Sequence, residues 1–142
     1  MTNDKIKIMT SFFVMEDFAR KVGGQYVDVQ SIIPSGGVIH GYEPTTGDIV
    51  ALSEADLFIY NGAGLEPFVE SLQQAVSNPD VQYIETSHGL TLLSEDDRSD
   101  AHTWLNPLNA KKQMENIKNA IVGIDAQHAA YYEERYSVFA DK

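Results

Sequence analysis

The sequence predicts an α/β fold, in which a four-stranded parallel sheet carries helices on both faces. Short β-branched runs alternate with segments of helical periodicity, a pattern typical of strand–helix units joined by right-handed crossovers. Residues 56–60 are almost entirely apolar, as expected of a strand that is covered on both faces. With 142 residues and 43% hydrophobic content, the chain fits one globular domain with a substantial core.

Four runs rich in β-branched and aromatic residues are the predicted strands. They are residues 6–10, 27–33, 56–60 and 81–86. Pro34 ends the second run, and a glycine-rich turn follows the third. The fourth run is the least apolar, which favours a place at the edge of the sheet.

Helices are predicted between the strands from apolar residues at intervals of three and four. The first has Ser11 as its predicted N-cap and ends at Gly23-Gly24. Thr45 and Asp48 resemble a capping box that opens the second helix, which runs to about residue 55. The third places four apolar residues on one side: Leu65, Phe68, Leu72 and Val76.

Two more helices are predicted at the end of the chain. Pro107 opens one of them, and Gly123 marks its end. Asp125 is the predicted cap of the last helix, which reaches Lys142 without a stop signal. Its apolar stripe comprises Ala129, Tyr132, Tyr136 and Phe139.

Composition excludes several classes of function. The net charge of −11 argues against nucleic acid, whose phosphates require a basic surface, and against an anionic membrane surface. The absence of cysteine excludes disulfides and thiolate metal sites, so a metal ion must be held by histidine, carboxylate or carbonyl oxygen. No apolar run approaches the roughly 20 residues that span a bilayer. The polar residues 1–5 do not predict a signal peptide, so we expect either a cytoplasmic protein or a mature segment.

Two histidines lie in loops that follow predicted strands. His40 stands in a glycine-rich loop after the second strand, and His102 stands in a loop after the fourth. Because both loops follow strands of one parallel sheet, both imidazoles are expected at its carboxyl edge. This is the edge where ligands bind in such sheets. Neutral imidazole is a usual ligand of zinc. Two would supply half of a four-coordinate metal site, and an ordinary loop position is the alternative for each.

Other polar residues are weaker candidates. Glu43 and Glu66 are carboxylates that could assist His40, as a ligand or as a hydrogen-bond acceptor, and the alternative for both is an ordinary position near a helix start. His88 is interpreted as a polar loop residue, and His128 as a residue on the solvated side of the last helix.

Three stretches together point to one family. They are Gly37-Val38-Ile39-His40-Gly41-Tyr42-Glu43-Pro44-Thr45, residues 52–62 with the following Gly64-Leu65-Glu66, and Asp100-Ala101-His102-Thr103-Trp104-Leu105-Asn106-Pro107. In the same order and spacing, they resemble the first-ligand loop, the following helix–strand–turn and the second-ligand motif of one protein group. This group is the metal-binding solute-binding proteins of zinc and manganese ABC transporters, also called cluster A-I or cluster 9. The resemblance covers essentially the whole chain and concerns the N-terminal lobe of these proteins.

The resemblance implies a metal site shared between two lobes. His40 and His102 match the two histidine ligands of the N-terminal lobe, and the remaining ligands of the family come from a C-terminal lobe that is absent from this sequence. Residues 1–124 would be the metal-binding lobe, and residues 125–142 the start of the helix that links the lobes. The expected ion is zinc, with manganese as the alternative.

The resemblance also implies a role outside the cytoplasm. Family members capture a metal ion and deliver it to the permease of an ABC importer without chemistry on the metal, so the protein is not expected to be an enzyme. They are lipoproteins on Gram-positive cells or periplasmic proteins in Gram-negative cells, and some take part in adhesion of pathogens.

Some residues depart from the family pattern. Ile39 and Ala101 replace prolines, and residues 94–100 are acidic where many zinc members carry histidines. Two other hypotheses stay open. One is a metal-dependent hydrolase with Glu43 or Glu66 as general base, and the other is an isolated lobe that dimerises or swaps its last helix.

Overall fold

The computed structural model describes residues 5–33, 42–62, 65–88 and 107–140. Its strands are β1 (Ile6–Thr10), β2 (Val27–Ser31), β3 (Leu57–Tyr60) and β4 (Gln82–Glu85). They form one sheet in the order β2-β1-β3-β4, and all neighbours are parallel. This confirms the predicted four-stranded parallel sheet with the fourth strand at an edge.

The helices lie on both faces of the sheet, as predicted. They are α1 (Phe13–Gly23), α2 (Thr46–Ser53), α3 (Val69–Ala75), α4 (Pro107–Ile124) and α5 (Ala129–Ala140). The chain moves to one side from β1 to β2 and to the other side from β2 through β3 to β4. Right-handed crossovers therefore put α1 on one face and α2 and α3 on the other. Both α4 and α5 contact α1, so they share its face.

The central strand β3 is enclosed by helices on both sides. Leu57, Phe58 and Ile59 are 0% exposed, which agrees with the prediction of a strand covered on both faces. The buried helix residues that surround the sheet include Met15, Ala19, Val22, Leu52, Leu72, Ile117 and Ile121. None of the helices in the described part of the chain combines the length and hydropathy needed to cross a membrane.

The helix starts agree with the sequence for α2 and for α4, which begins at the predicted Pro107, and they differ for α1 and α3. Thr45 and Asp48 form a full capping box at α2, with side chain and backbone bonded reciprocally at 3.1 and 2.9 Å. The prediction that Ser11 caps α1 is wrong, because Phe12 occupies the cap position and has no side-chain cap bond. The third helix begins at Val69 rather than at the predicted Leu65.

The end of the chain packs on the turn after α1. The ring of His128 stacks on Tyr26 with the centroids 3.8 Å apart. His128 is thus partly buried, and its expected place on the solvated side of the last helix is wrong. The backbone N–H of Gln25 donates to the hydroxyl of Tyr131 at 3.1 Å.

Asp125 precedes the last helical segment as predicted, but its side chain does not cap the backbone. Its Oδ2 accepts a hydrogen bond from the Tyr132 hydroxyl at 2.6 Å and lies 2.7 Å from Nδ1 of His128. We call this group the α5 seat; it comprises Tyr26, Asp125, His128, Tyr131 and Tyr132. The seat holds the start of α5 against the turn after α1, while the proposed boundary between residues 124 and 125 stays a prediction.

Candidate metal centre

The two predicted ligands, His40 and His102, lie outside the described residues. The structure does describe the residues that flank their segments. Ile33 and Tyr42 flank residues 34–41, and His88 and Pro107 flank residues 89–106. These four residues therefore mark where the two segments leave and rejoin the described part of the fold.

Tyr42, the first described residue after the segment that contains His40, contacts both α2 and the chain just beyond β2. Its hydroxyl donates to Oδ2 of Asp48 at 2.5 Å and lies 3.4 Å from the carbonyl of Ile32, just before the segment. Burial, followed by the bond to Asp48, raises the pKa of Tyr42 to about 12. The tyrosine therefore stays a neutral donor over the physiological range.

The carboxylate of Glu66 lies buried at the carboxyl edge of the sheet, between the ends of β1 and β3. Its Oε2 accepts the Ser11 hydroxyl at 2.5 Å and the Asn61 backbone N–H at 2.7 Å. Its Oε1 accepts the Gly62 backbone N–H at 2.9 Å. Glu66 is only 6% exposed, so its polar oxygens have exchanged water for these three donors.

Burial raises the pKa of the Glu66 carboxyl above its usual range, against the opposing effect of the hydrogen bonds from Ser11, Asn61 and Gly62. Both oxygens accept hydrogen bonds from the protein, which suits a structural acceptor better than a free general base. Glu43, the other carboxylate proposed from the sequence, is exposed.

Buried amide and hydroxyl groups continue this arrangement toward β4. Nε2 of Gln113 donates at 2.7 Å to Oδ1 of Asn61 and, also at 2.7 Å, to the Thr86 hydroxyl. Nδ2 of Asn116 donates to the carbonyls of Thr86 and His88 at 2.8 and 3.0 Å. Two side chains of α4 thus fix the chain as it leaves β4 for the segment that contains His102.

We call the buried group Ser11, Asn61, Glu66, Thr86 and Gln113 the carboxyl-edge row. Glu66 is its most accessible member, and the other four are 0% exposed. Buried side-chain nitrogens and oxygens in the described part of the chain all have hydrogen-bond partners. The row is therefore a satisfied network, which can make the edge rigid.

His88, which follows β4, is exposed, as its interpretation as a polar loop residue predicts. Within residues 5–33, 42–62, 65–88 and 107–140, no cluster of three or more histidine or carboxylate side chains could hold a metal ion. The predicted ligand pair, His40 and His102, therefore stays a prediction.

Sequence reasoning did not identify Gln113 and Asn61 as hydrogen-bonded members of the carboxyl-edge row. One signal was available for Gln113, which stands four residues before the buried Ile117 and so shares its helix face. A polar residue on an apolar face is a sign of a buried hydrogen bond. Asn61 directly follows the most apolar strand, a place where ligand sites of parallel sheets commonly lie.

Comparison with known proteins places the whole chain in one group. The family model described as zinc-uptake complex component A, periplasmic, matches residues 8–142. Iron-binding protein YfeA of Yersinia pestis is 34% identical over 146 residues, covering 99% of this chain and 46% of that protein. Manganese-binding lipoprotein MntA of Halalkalibacterium halodurans is 35% identical over 127 residues, covering 89% of this chain and 42% of that protein.

A solved structure gives the same result for the fold. The crystal structure of the metal-dependent lipoprotein YcdH from Bacillus subtilis has a TM-score of 0.89 and 32% sequence identity. The match covers 96% of this chain and 51% of that chain. This chain therefore spans about half the length of the relatives that it matches.

Proposed function

We propose that this chain provides one lobe of a site that captures a divalent transition metal. The basis is that the chain belongs to the zinc-uptake complex component A family of ABC-transporter solute-binding proteins. His40 and His102 are the proposed ligands. The observation that carries the proposal is that the chain leaves the sheet toward both histidines at the same carboxyl edge, at Ile33 and at His88.

The order of the strands allows the two histidines to meet. Since β2 and β4 are the outer strands, three spacings of ~4.8 Å separate their carboxyl ends by about 14 Å. An extended chain spans roughly 3.3 Å per residue, and His40 lies seven residues beyond Ile33. Both side chains can therefore reach the space beyond β1 and β3, next to the carboxyl-edge row.

Zinc is the metal that we propose, with manganese as the alternative. Imidazole nitrogen suits zinc, and affinity for such ligands is generally higher for zinc than for manganese. The relatives of this chain include proteins named for zinc uptake, manganese binding and iron binding. A competition titration of the protein with Zn²⁺, Mn²⁺ and Fe²⁺ would rank the three ions, and a preference for Mn²⁺ would contradict the zinc assignment.

Delivery to a membrane permease is the proposed purpose of capture. Its support is the description of relatives as lipoproteins and as substrate-binding components of metal ABC transporters. By the same likeness we propose an extracytoplasmic location, on the cell surface or in the periplasm. Because this chain spans about half of those proteins, we expect two imidazoles alone to bind zinc weakly, with water completing the coordination.

Isothermal titration with zinc tests the ligand assignment. We expect His40→Ala and His102→Ala each to abolish measurable binding, since each removes one of only two protein ligands. His88→Ala is the matched control, because it removes an exposed histidine of the same edge. Binding that survives both ligand substitutions would show that the assignment is wrong. In the wild type, affinity should fall as pH drops through about 6, where imidazole becomes protonated.

A further inference from the structure

Ser11 joins the first ligand-bearing segment to Glu66. Its carbonyl accepts the backbone N–H of Ile33 at 3.1 Å, and Ile33 is the last described residue before the segment that contains His40. The hydroxyl of the same serine donates to Glu66 at 2.5 Å. Ser11 thus connects the chain just beyond β2 with the buried carboxylate of Glu66.

Asn61 makes the corresponding connection on the other side of Glu66. Its backbone N–H donates to Glu66 at 2.7 Å, and its carbonyl accepts the backbone N–H of Ser87 at 3.0 Å. Ser87 lies next to His88, the last described residue before the segment that contains His102. A continuous path of hydrogen bonds therefore runs from Ile33 through Glu66 to Ser87.

We propose that Glu66 is a positioning residue for metal capture: it sets the spacing between the two points where the ligand-bearing segments leave the sheet. The inference rests on the proposed function and extends it to a residue that does not itself bind the metal. The physical basis is preorganisation, because ligands held at the correct separation lose less freedom when the ion binds.

A carboxylate matches this position better than an amide of the same shape. All three groups around it present hydrogens: the Ser11 hydroxyl and the backbone N–H groups of Asn61 and Gly62. A glutamine has one acceptor oxygen and one donor nitrogen. In either orientation its NH₂ group would face a backbone N–H, which would push the ends of β1 and β3 apart.

Glu66→Gln is therefore the test, with zinc affinity measured by titration against a competing chelator. We expect about 10-fold weaker binding, the scale typical of residues that orient metal ligands. Co²⁺, which can occupy zinc sites, should show altered visible absorption in the saturated variant, because the ligand geometry has changed. Glu70→Gln is the matched control: it removes the same charge from an exposed position on α3, and we expect wild-type values.

Two results for Glu66→Gln would overturn the inference by itself. Glu66→Gln could fold and bind zinc like the wild type, or it could bind less tightly with an unchanged Co²⁺ spectrum, which would indicate lost stability alone. If the wild type itself binds no zinc, or if His40→Ala leaves binding unchanged, the proposed function fails and this inference falls with it.

A second variant covers the case in which Glu66→Gln does not fold. Ser11→Ala removes only one of the three donors to the carboxylate, so we expect about a threefold loss of affinity, a smaller effect than that typical of outer-shell groups. The Co²⁺ spectrum should change in the same direction. An unchanged affinity together with an unchanged spectrum would overturn the inference.

Discussion

At the carboxyl edge, α4 is fixed by hydrogen bonds between buried polar groups, whereas α5 is held against the turn after α1 largely by packed aromatic rings, most of which stay partly exposed. In the carboxyl-edge row, Glu66 and Gln113 each bond to groups on other elements. In the α5 seat, Tyr26 and Tyr131 pack edge to face and His128 stacks on Tyr26. A buried polar group that loses its hydrogen-bond partner costs the full free energy of its desolvation, whereas the loss of one aromatic ring from a packed pair costs less. We therefore expect larger effects of substitution at the edge than at the seat.

The largest effect is expected for Glu66→Ala. The change leaves the Ser11 hydroxyl and two backbone N–H groups without their acceptor in a buried place. Since an unsatisfied buried donor costs about 1–3 kcal/mol, we expect a loss of about 4 kcal/mol in the free energy of unfolding. Urea denaturation followed by circular dichroism measures it. A loss below about 1 kcal/mol would mean that water replaces the carboxylate and that the edge is not rigid.

Gly24→Ala should have the next largest effect, and it acts at the seat. Gly24 has φ of +56°, which side chains disfavour, and an added Cβ would clash with the Tyr131 hydroxyl and lie 2.7 Å from Nε of Arg135. We expect a loss of about 2 kcal/mol in the free energy of unfolding. Gly123→Ala is the control, because nothing lies within 4 Å of its Cβ position. In that helix, alanine should stabilise by about 0.5–1 kcal/mol.

The same contrast explains how much of the fold the sequence predicts. The sheet, the edge position of β4 and the capping box of Thr45 follow from local patterns of apolar and capping residues. The partner of Ser11 is 55 residues away, so the local pattern of a serine before a helix predicts an N-cap instead. The alanine neighbours of His128 predict a solvated place, but its position depends on Tyr26, about 100 residues earlier. Contacts between residues distant in sequence leave no local periodicity.

The family resemblance predicts what local patterns cannot. The assignment of His40 and His102 as ligands comes from the motifs around them, and the family itself is confirmed by the match over residues 8–142. Neither the local patterns nor the family resemblance predicts the hydrogen bonds of the carboxyl-edge row. The sequence makes Glu66 a candidate from its place near a helix start, yet only the fold shows that it lies between β1 and β3 with three donors.

A smaller effect is expected for His128→Ala. It removes the stacked ring on Tyr26 and the contact with Asp125, while Asp125 keeps the hydroxyl of Tyr132. Stacked aromatic pairs contribute about 0.5–1.5 kcal/mol, so we expect a loss of about 1 kcal/mol in the free energy of unfolding. His88→Ala serves as the exposed control and should stay within about 0.5 kcal/mol of the wild type. Equal losses in both variants would show that the stack contributes nothing specific.

The pH dependence of stability should separate the two regions by sign. Burial opposes ionisation of Asp125, but the hydrogen bonds from Tyr132 and His128 outweigh it and lower its pKa. Its contribution is therefore present at neutral pH and is lost as pH falls through the folded-state pKa. Burial raises the pKa of Glu66, so its folded form takes up a proton earlier than the unfolded chain. The contribution of Glu66 to the free energy of unfolding therefore increases as pH falls, until pH reaches the pKa of this carboxyl group in the unfolded chain.

Two variants can test these opposite signs with free energies of unfolding measured from pH 7 down to about pH 2.5, because an aspartate whose pKa lies below the usual value of about 3.9 titrates mainly below pH 4. Relative to the wild type, Asp125→Asn should lose less stability over this range, because a carboxylate favoured in its ionised form is gone. Glu66→Gln should lose more, because a group that favours the folded state on acidification is gone. Both differences should be smaller than the effects of the other substitutions, since each depends on the titration of one carboxyl group. Shifts of the same sign in both variants would contradict the distinction between the row and the seat.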